Sequence, residues 1–356
     1  MIPTIFYILG IFTLLVAVHE FGHMYFAKRA GMRVEEFALG FGSVLFRLGK
    51  DKSGTVYNWR AVPIGGFVKI AGMNPEDAHE PDGFQSKGGW ARFTTIFAGP
   101  LFSILLGLVL FFLIATFAGV PSDKAVPRVQ FVNPGDPAHQ AGMRTGDFVR
   151  SIDGQPIATT EEAKNLIEKG LGKELALVVD RNGQTVELKV TPKGKEKEVD
   201  GKKVEIGMIG IMWLSEREPV GLIGAVQYAG TVTFNHIVGI TGFLTKLVSG
   251  RASSDEVGGP ASIANQVSNV SRLGFTQVAQ FAGSFSIMLG IVNLLPIPVL
   301  DGGWILIILV ESIRRKRLSA KATRAVQAVG LSMVLLIFVS VISLDLYKLF
   351  QDRLLR

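Results

Sequence analysis

The chain has 356 residues, of which 48% are hydrophobic and 19% charged, and its mean hydropathy is +0.36. That balance is too apolar for a water-soluble chain and implies several membrane spans; the 24 Phe and 41 Gly agree, since Gly is better tolerated in membrane helices than in soluble ones. The net charge of +7 then orients loops and meets anionic lipid rather than nucleic acid, and the absence of cysteine excludes disulfides and thiolate metal sites.

Residues 1–26 form the first expected membrane helix, since Ile2 to Phe26 is apolar except at His19, Glu20 and His23. A signal peptide, the alternative, would need a basic start and a small-residue cleavage site, and neither is present. Residues 27–92 are polar and rich in Gly. Within them Tyr57 to Ile70 reads as two short strands around a Pro63-Ile64-Gly65-Gly66 turn. Residues 93–120 are the second span, with Gly99-Pro100 near its start.

Residues 121–213 change character. They are charged, they alternate, and they carry turn signals at Asn133-Pro134-Gly135-Asp136, Asp153-Gly154 and Arg181-Asn182-Gly183. A small soluble domain is expected, mostly strands, with its clearest helix at Glu161 to Lys169, where Ala163, Leu166 and Ile167 share one face. Residues 214–277 read as amphipathic helices near the membrane interface, with a further span inside Pro219 to Val248 as the competing reading.

Residues 278–311 are the third membrane segment. Phe281 to Val310 is an apolar run of 30 residues with a single charge, Asp301, and as one straight helix it would run about 45 Å against a hydrocarbon core of about 30 Å. Pro296 and Pro298 break it, and a broken helix at membrane depth is tolerated only where the freed backbone lines a cavity or is buried in protein. Residues 312–324 form a basic loop, and residues 325–349 the fourth span.

Basic residues set the orientation. Arg314, Arg315, Lys316, Arg317, Lys321 and Arg324 crowd the loop between the last two spans, and the segment between the first two is also basic. Both are expected in the cytoplasm, which places the termini and the soluble domain outside.

The chemistry lies inside the spans. His19 and His23, at i and i+4, stand on one helix face and can share a metal ion. Glu20, one residue on from His19, can reach a metal-activated water without ligating, as a general base does. A structural histidine pair is the bland reading, but ionisable groups inside a span are costly and usually functional. A catalytic zinc needs a third protein ligand. His79, His139 and His236 lie in polar or interfacial stretches, whereas Asp301, in Asn293-Leu294-Leu295-Pro296-Ile297-Pro298-Val299-Leu300-Asp301-Gly302-Gly303, is the one charged residue of the broken run. A helix cap is the plainer role for Asp301.

His19-Glu20-Phe21-Gly22-His23 in the first span and Asn293 through Gly302 in a late one resemble the two signatures of the site-2 protease family of intramembrane zinc metalloproteases, in particular its bacterial regulator-of-sigma-E group. Phe41-Gly42 resembles the family's Gly-Phe-Gly element, Gly65-Gly66-Phe67-Val68 its membrane-associated β-hairpin, and Ala98-Gly99-Pro100-Leu101 the start of its second span. The inserted domain resembles a PDZ domain through Pro137 to Asp147 and Ile152-Asp153-Gly154. Two features depart: the group often carries two PDZ domains, and the family commonly has an Asn shortly after Gly-Pro, where this chain has Phe102-Ser103.

The resemblance implies a multi-pass α-helical membrane protein of about four spans with an inserted α+β PDZ-like domain. His19, His23 and Asp301 would hold Zn2+, Glu20 would be the acid/base and Asn293 would contact substrate backbone. The implied location is the bacterial inner membrane, with the site toward the cytoplasm. The implied substrates are single-pass membrane proteins already trimmed by another protease, such as anti-sigma factors, or remnant signal peptides; no nucleic acid is expected. A substrate helix must unwind to expose its carbonyls, by adding a strand to the Val56–Ile70 hairpin or otherwise; a purely structural hairpin stays open. The PDZ-like domain would bind a peptide or act as a size filter, with the filter preferred. A non-catalytic membrane adaptor is the alternative from another class, and Glu20 argues against it. A zinc transporter would spread its ligands over more spans.

Overall fold

The computed structural model describes the chain except residues 1, 74–79, 123–125, 134, 200–201, 215, 252–257 and 355–356, so His79 and Pro134 lie outside the described residues. Two compact units emerge: residues 1–114 with 223–356, and residues 115–222.

In the first unit, α1 (Ile2–Arg29) leads to two long strands, β1 (Val34–Lys50) and β2 (Val56–Ile70), and then α2 (Gly89–Ala118). The helix α1 outlasts its apolar stretch because Lys28 and Arg29 occupy its last turn, where cations suit the helix dipole. It stops at Gly31, whose φ of +67° lets the Met32 N–H turn back to the Ala27 carbonyl at 2.9 Å.

The strands correct the sequence reading of two short strands closing on each other. β1 and β2 pair antiparallel, and Glu36 to Leu39 have partners on two sides, Gly66 to Lys69 on one and Val56 to Trp59 on the other. The two halves of β2 therefore flank β1, and residues 63–66 carry the chain across rather than turning it back. Glycine permits that crossing: Gly65 has φ +93° with the Phe41 ring where a Cβ would be, and a Cβ on Gly66 would stand 2.7 Å from the Ala38 carbonyl oxygen. The hairpin turn proper is at Asp51–Thr55, where the Asp51 side chain accepts the Ser53 and Thr55 N–H groups and pairs with Lys28.

After residue 222 come α5 (Leu222–Val248), α6 (Pro260–Leu273), α7 (Phe275–Asn293), α8 (Asp301–Arg314) and α9 (Ala320–Leu354). Four helical stretches are long and apolar enough to cross a membrane: Phe6–Arg29, Gly89–Ala118, Phe275–Asn293 and Ala320–Tyr347. The third is α7 alone. The expected run of residues 278–311 starts earlier, at Phe275, and ends at Asn293, because the prolines free residues 294–300 from the helix and α8 begins anew at Asp301. Residues 214–277 contain one continuous helix of 27 residues, α5, which is not among the four stretches, together with the shorter α6.

Close approach of α1, α2 and α7 follows from small residues. A Cβ on Gly22 would stand 2.5 Å from the Ala98 carbonyl oxygen, one on Gly107 2.8 Å from that of Gly283, and one on Gly290 2.7 Å from that of Pro100. Gly99, Ser103 and Gly107 recur every fourth residue, which lays a groove along one face of α2. A buried ion pair fixes the other end: Arg92, in the first turn of α2, donates to Glu311 of α8 at 2.7 Å, and Glu311 also accepts the Leu318 N–H at 2.8 Å.

The second unit has a four-stranded antiparallel sheet in the order β6 (Gln155–Pro156), β5 (Phe148–Ile152), β7 (Leu175–Arg181), β8 (Gln184–Val190). The turns at Asp153-Gly154 and Asn182-Gly183 carry positive φ at both residues, as Asx-Gly hairpin turns require. The helices are α3 (Pro137–Gln140) and α4 (Thr160–Lys169). α4 starts one residue before the sequence reading because Thr159 caps it, exchanging bonds with Glu162 in a capping box. Ala163 and Ile167 enter the core, with Leu166 at its edge. The Asp147 carboxylate, fully buried, receives the Arg181 guanidinium through two bonds of 2.8 Å. Three further pairs complete the unit: β3 (Val120–Pro121) with β12 (Arg217–Glu218), β4 (Val129–Val132) with β11 (Ile211–Trp213), and β9 (Lys193–Val199) with β10 (Lys202–Met208).

Removing one partner of a buried ion pair strands the other charge. Glu311→Ala is expected to cost about 3–5 kcal/mol, while exchanging Arg92 and Glu311 together for methionine recovers most of that loss. Unfolding of each variant in detergent micelles measures both.

Candidate metal centre

Three donors meet where α1 faces the start of α8. His19 Nε2 lies 3.1 Å from Asp301 Oδ2, His23 Nε2 lies 3.4 Å from Asp301 Oδ1, and the two Nε2 atoms are 3.3 Å apart. Ligand atoms about 2.0–2.2 Å from one ion in a tetrahedral site are separated by about 3.3 Å, so these spacings fit a tetrahedral ion with its fourth position open. Among the described residues this is the one group of three such side chains whose donors can share an ion.

The hydrogen bonds also fit a cation. His23 Nδ1 lies 2.9 Å from the Thr95 carbonyl oxygen, which can only accept, so that nitrogen carries the proton and Nε2 presents a lone pair. The lone pair points at Asp301 and His19. Asp301 Oδ2 is buried and receives no hydrogen bond from any described donor. Lone pairs facing one another repel unless a positive charge lies between them, and Zn2+, the ion suited to two imidazoles and a carboxylate, would supply it.

Each donor is held by its backbone. His19 and His23 come one above the other from α1, and Gly99 makes room for the second ring, since a Cβ there would stand 2.2 Å from His23 Nε2. Asp301 is the first residue of α8, where a carboxylate is favoured by the helix dipole. Gly302 and Gly303 let residues 294–300 pack onto that start: Cβ atoms there would stand 2.2 Å and 2.5 Å from the Leu295 and Ile297 carbonyl oxygens. Val299 is held at φ +89°, a conformation β-branched residues avoid, so the approach to Asp301 stores backbone strain.

A cleft of about 330 Å3 opens on the donors and is also lined by Glu20, Asn293 and Trp304. Val68 lines this cleft with Glu20, and Asn293 Nδ2 lies 3.3 Å from His19 Nε2. The segment Phe67–Ile70 pairs with β1 on one side and borders this cleft and a neighbouring one of about 490 Å3.

All five residues singled out from the sequence thus share one site: His19, Glu20, His23, Asn293 and Asp301. His139 sits in the second unit beside Gly135, and His236 pairs with Ser284 at 2.9 Å, away from the donors. The sequence reading did not find Ser103, whose Oγ lies 2.9 Å from His19 Nδ1, nor the Thr95 carbonyl. Backbone groups leave no mark on a sequence; Ser103 stood out only as a departure from the expected Asn.

Residues 7–337 match Peptidase family M50. The chain is 29% identical to the regulator of sigma-W protease RasP of Bacillus subtilis over 98% of its own length and 99% of that protein. It is 28% identical to the zinc metalloprotease RasP of Oceanobacillus iheyensis, covering 95% of this chain and 97% of that one. A protein of Rhizobium meliloti whose name proposes a zinc metalloprotease is 34% identical, over 95% and 94%. The chain therefore belongs to Peptidase family M50, the site-2 protease family, as a bacterial membrane zinc metalloprotease.

Proposed function

We propose that the chain is an intramembrane endopeptidase in which His19, His23 and Asp301 hold the zinc ion and Glu20 moves the proton. The observation that carries this reading is the convergence of two imidazoles and a carboxylate in one cleft with a second carboxylate beside them. Zinc in such a site supplies Lewis acidity toward a carbonyl and lowers the pKa of water. Glu20, in the cleft beside the three donors, takes a proton from the attacking water and returns it to the leaving amine. Asn293 reaches into the cleft as a donor for the substrate backbone near the scissile bond.

A helical substrate hides its carbonyls in its own hydrogen bonds and must unwind. The edge of Phe67–Ile70 favours strand addition over a purely structural hairpin, because it borders both clefts, including the one that Glu20 lines. Substrates are single-pass membrane proteins shortened beforehand by another protease, such as anti-sigma factors, or remnant signal peptides. The second unit, read as a PDZ-like domain, excludes large ectodomains. The basic loops favour an orientation in the bacterial inner membrane with the metal site toward the cytoplasm and the second unit outside.

Topology is tested by fusion. A reporter after Lys316 is expected to read as cytoplasmic and one after Gly194 as external; both on one side contradicts the four-span arrangement.

The filter is tested by deletion. Removing Val126 to Ile211 with a short linker is expected to leave cleavage intact and extend it to untrimmed substrates. A folded, zinc-loaded deletion variant that cuts nothing would show that the unit recruits substrate.

The chemistry is tested by separating metal from proton transfer. His19→Ala and Asp301→Ala are expected to lose zinc and cleavage together. Glu20→Gln is expected to keep zinc, because the amide is nearly isosteric, while cleavage of a membrane-embedded peptide falls by at least about 10²–10⁴-fold. Elemental analysis and turnover in micelles read both. Zinc loss in Glu20→Gln overturns its assigned role, and zinc-loaded wild-type protein that cuts nothing favours an adaptor.

A further inference from the structure

Ser103 lies midway along α2, is fully buried, and stands with its hydroxyl oxygen 2.9 Å from His19 Nδ1. Its place in the fold is fixed from the other side as well: the Ser286 hydroxyl of α7 donates to the Ser103 carbonyl at 2.7 Å, and a Cβ on Gly290 would stand 3.3 Å from Ser103 Cβ. The hydroxyl thus has little freedom to leave the imidazole.

The two histidines differ in what defines them. His23 donates to a carbonyl, so its tautomer is dictated by backbone. His19 meets a hydroxyl, which can donate or accept. Only if Nδ1 carries the proton and Ser103 accepts it does His19 Nε2 present its lone pair to His23 and Asp301. A ring turned by that one bond's absence would move Nε2 out of a donor set whose spacings lie between 3.1 and 3.4 Å.

We infer that Ser103 is a positioning residue of the metal site, which accepts the Nδ1 proton of His19 and fixes its ring plane. Partners of this kind raise ligand basicity and hold ligand orientation, and their loss typically costs about 10–100-fold in metal affinity. Ser103 does this from a neighbouring helix, so the α1–α2 contact sets the metal affinity as well as the packing. The inference rests on His19 being a zinc ligand.

The test is zinc affinity of the full chain in detergent micelles, by competition with a chelating indicator, beside a thermal melt of the metal-free protein. Ser103→Ala is expected to weaken zinc binding about 10–100-fold with the metal-free melt nearly unchanged. Ser103→Thr, which keeps the hydroxyl, is expected to bind as wild type does. Ser286→Ala, which removes the bond to the Ser103 carbonyl without touching His19, is expected to lose less affinity than Ser103→Ala does. If Ser103→Ala does not fold, Ser103→Cys, close in volume but a weak acceptor, carries the same expectation of weakened binding. Unchanged affinity in Ser103→Ala, a folded Ser103→Thr that fails to restore it, or equal losses in Ser103→Ala and Ser286→Ala would each overturn the inference. A wild-type chain that takes up no zinc would instead overturn the metal-site reading.

Discussion

The metal centre depends on a close approach of helices that ordinary side chains would forbid. The His23 ring occupies the place where a side chain on Gly99 would be, and Gly22 rests against the Ala98 carbonyl. Apolar side chains do not drive helices together in lipid, because the lipid is as apolar as they are; association relies on close packing and interhelical hydrogen bonds. The small-residue face of α2 supplies the first, and the His23–Thr95 and His19–Ser103 bonds the second. The groups that bring α1 to α2 are thus the groups that orient the two imidazoles, so packing and ligand geometry are one constraint.

The third donor is delivered differently. Asp301 does not belong to the helix that carries the histidines; it opens a separate helix after a seven-residue break, residues 294–300. Such a break leaves backbone groups to satisfy at membrane depth, and it is tolerable here because Val299 and Leu300 line the cleft. Gly302, Gly303 and Gly330 admit its carbonyls, and turns such as Leu300 N–H to Ile297 at 3.0 Å use them. The strain at Val299, on the order of 1–3 kcal/mol for such a residue, is held by this packing. At the far end of α8 the Arg92–Glu311 pair fixes the helix against α2, so the element that presents Asp301 is tied to the one that supports His19 and His23.

How much of this was legible in the sequence follows from where the physics is local. The i, i+4 spacing of His19 and His23 fixes their common face within one helix, and Asp301 stood out because a charge in an apolar run is costly. The Asx-Gly turns are equally local; Asn293 came from the resemblance, and the Thr159 cap that starts α4 one residue earlier was not read. The course of β2 was not legible, because its two halves face β1 rather than each other, and such non-local pairing leaves only Gly65-Gly66 as a trace. The start of the third span was missed by a few residues, since Thr276 and Gln277 dilute its hydropathy although the backbone is already helical. Ser103 was missed because a serine in a membrane helix is an ordinary packing residue until the histidine opposite is seen.

The central claim is that two imidazoles and one carboxylate, and no further protein nitrogen, hold the ion. X-ray absorption at the zinc edge of the loaded wild-type chain tests it most directly. The expected spectrum has four nitrogen or oxygen donors at about 2.0–2.2 Å, with the outer-shell scattering of two imidazole rings. Scattering from three imidazoles, which would recruit His79, His139 or His236, would contradict the account.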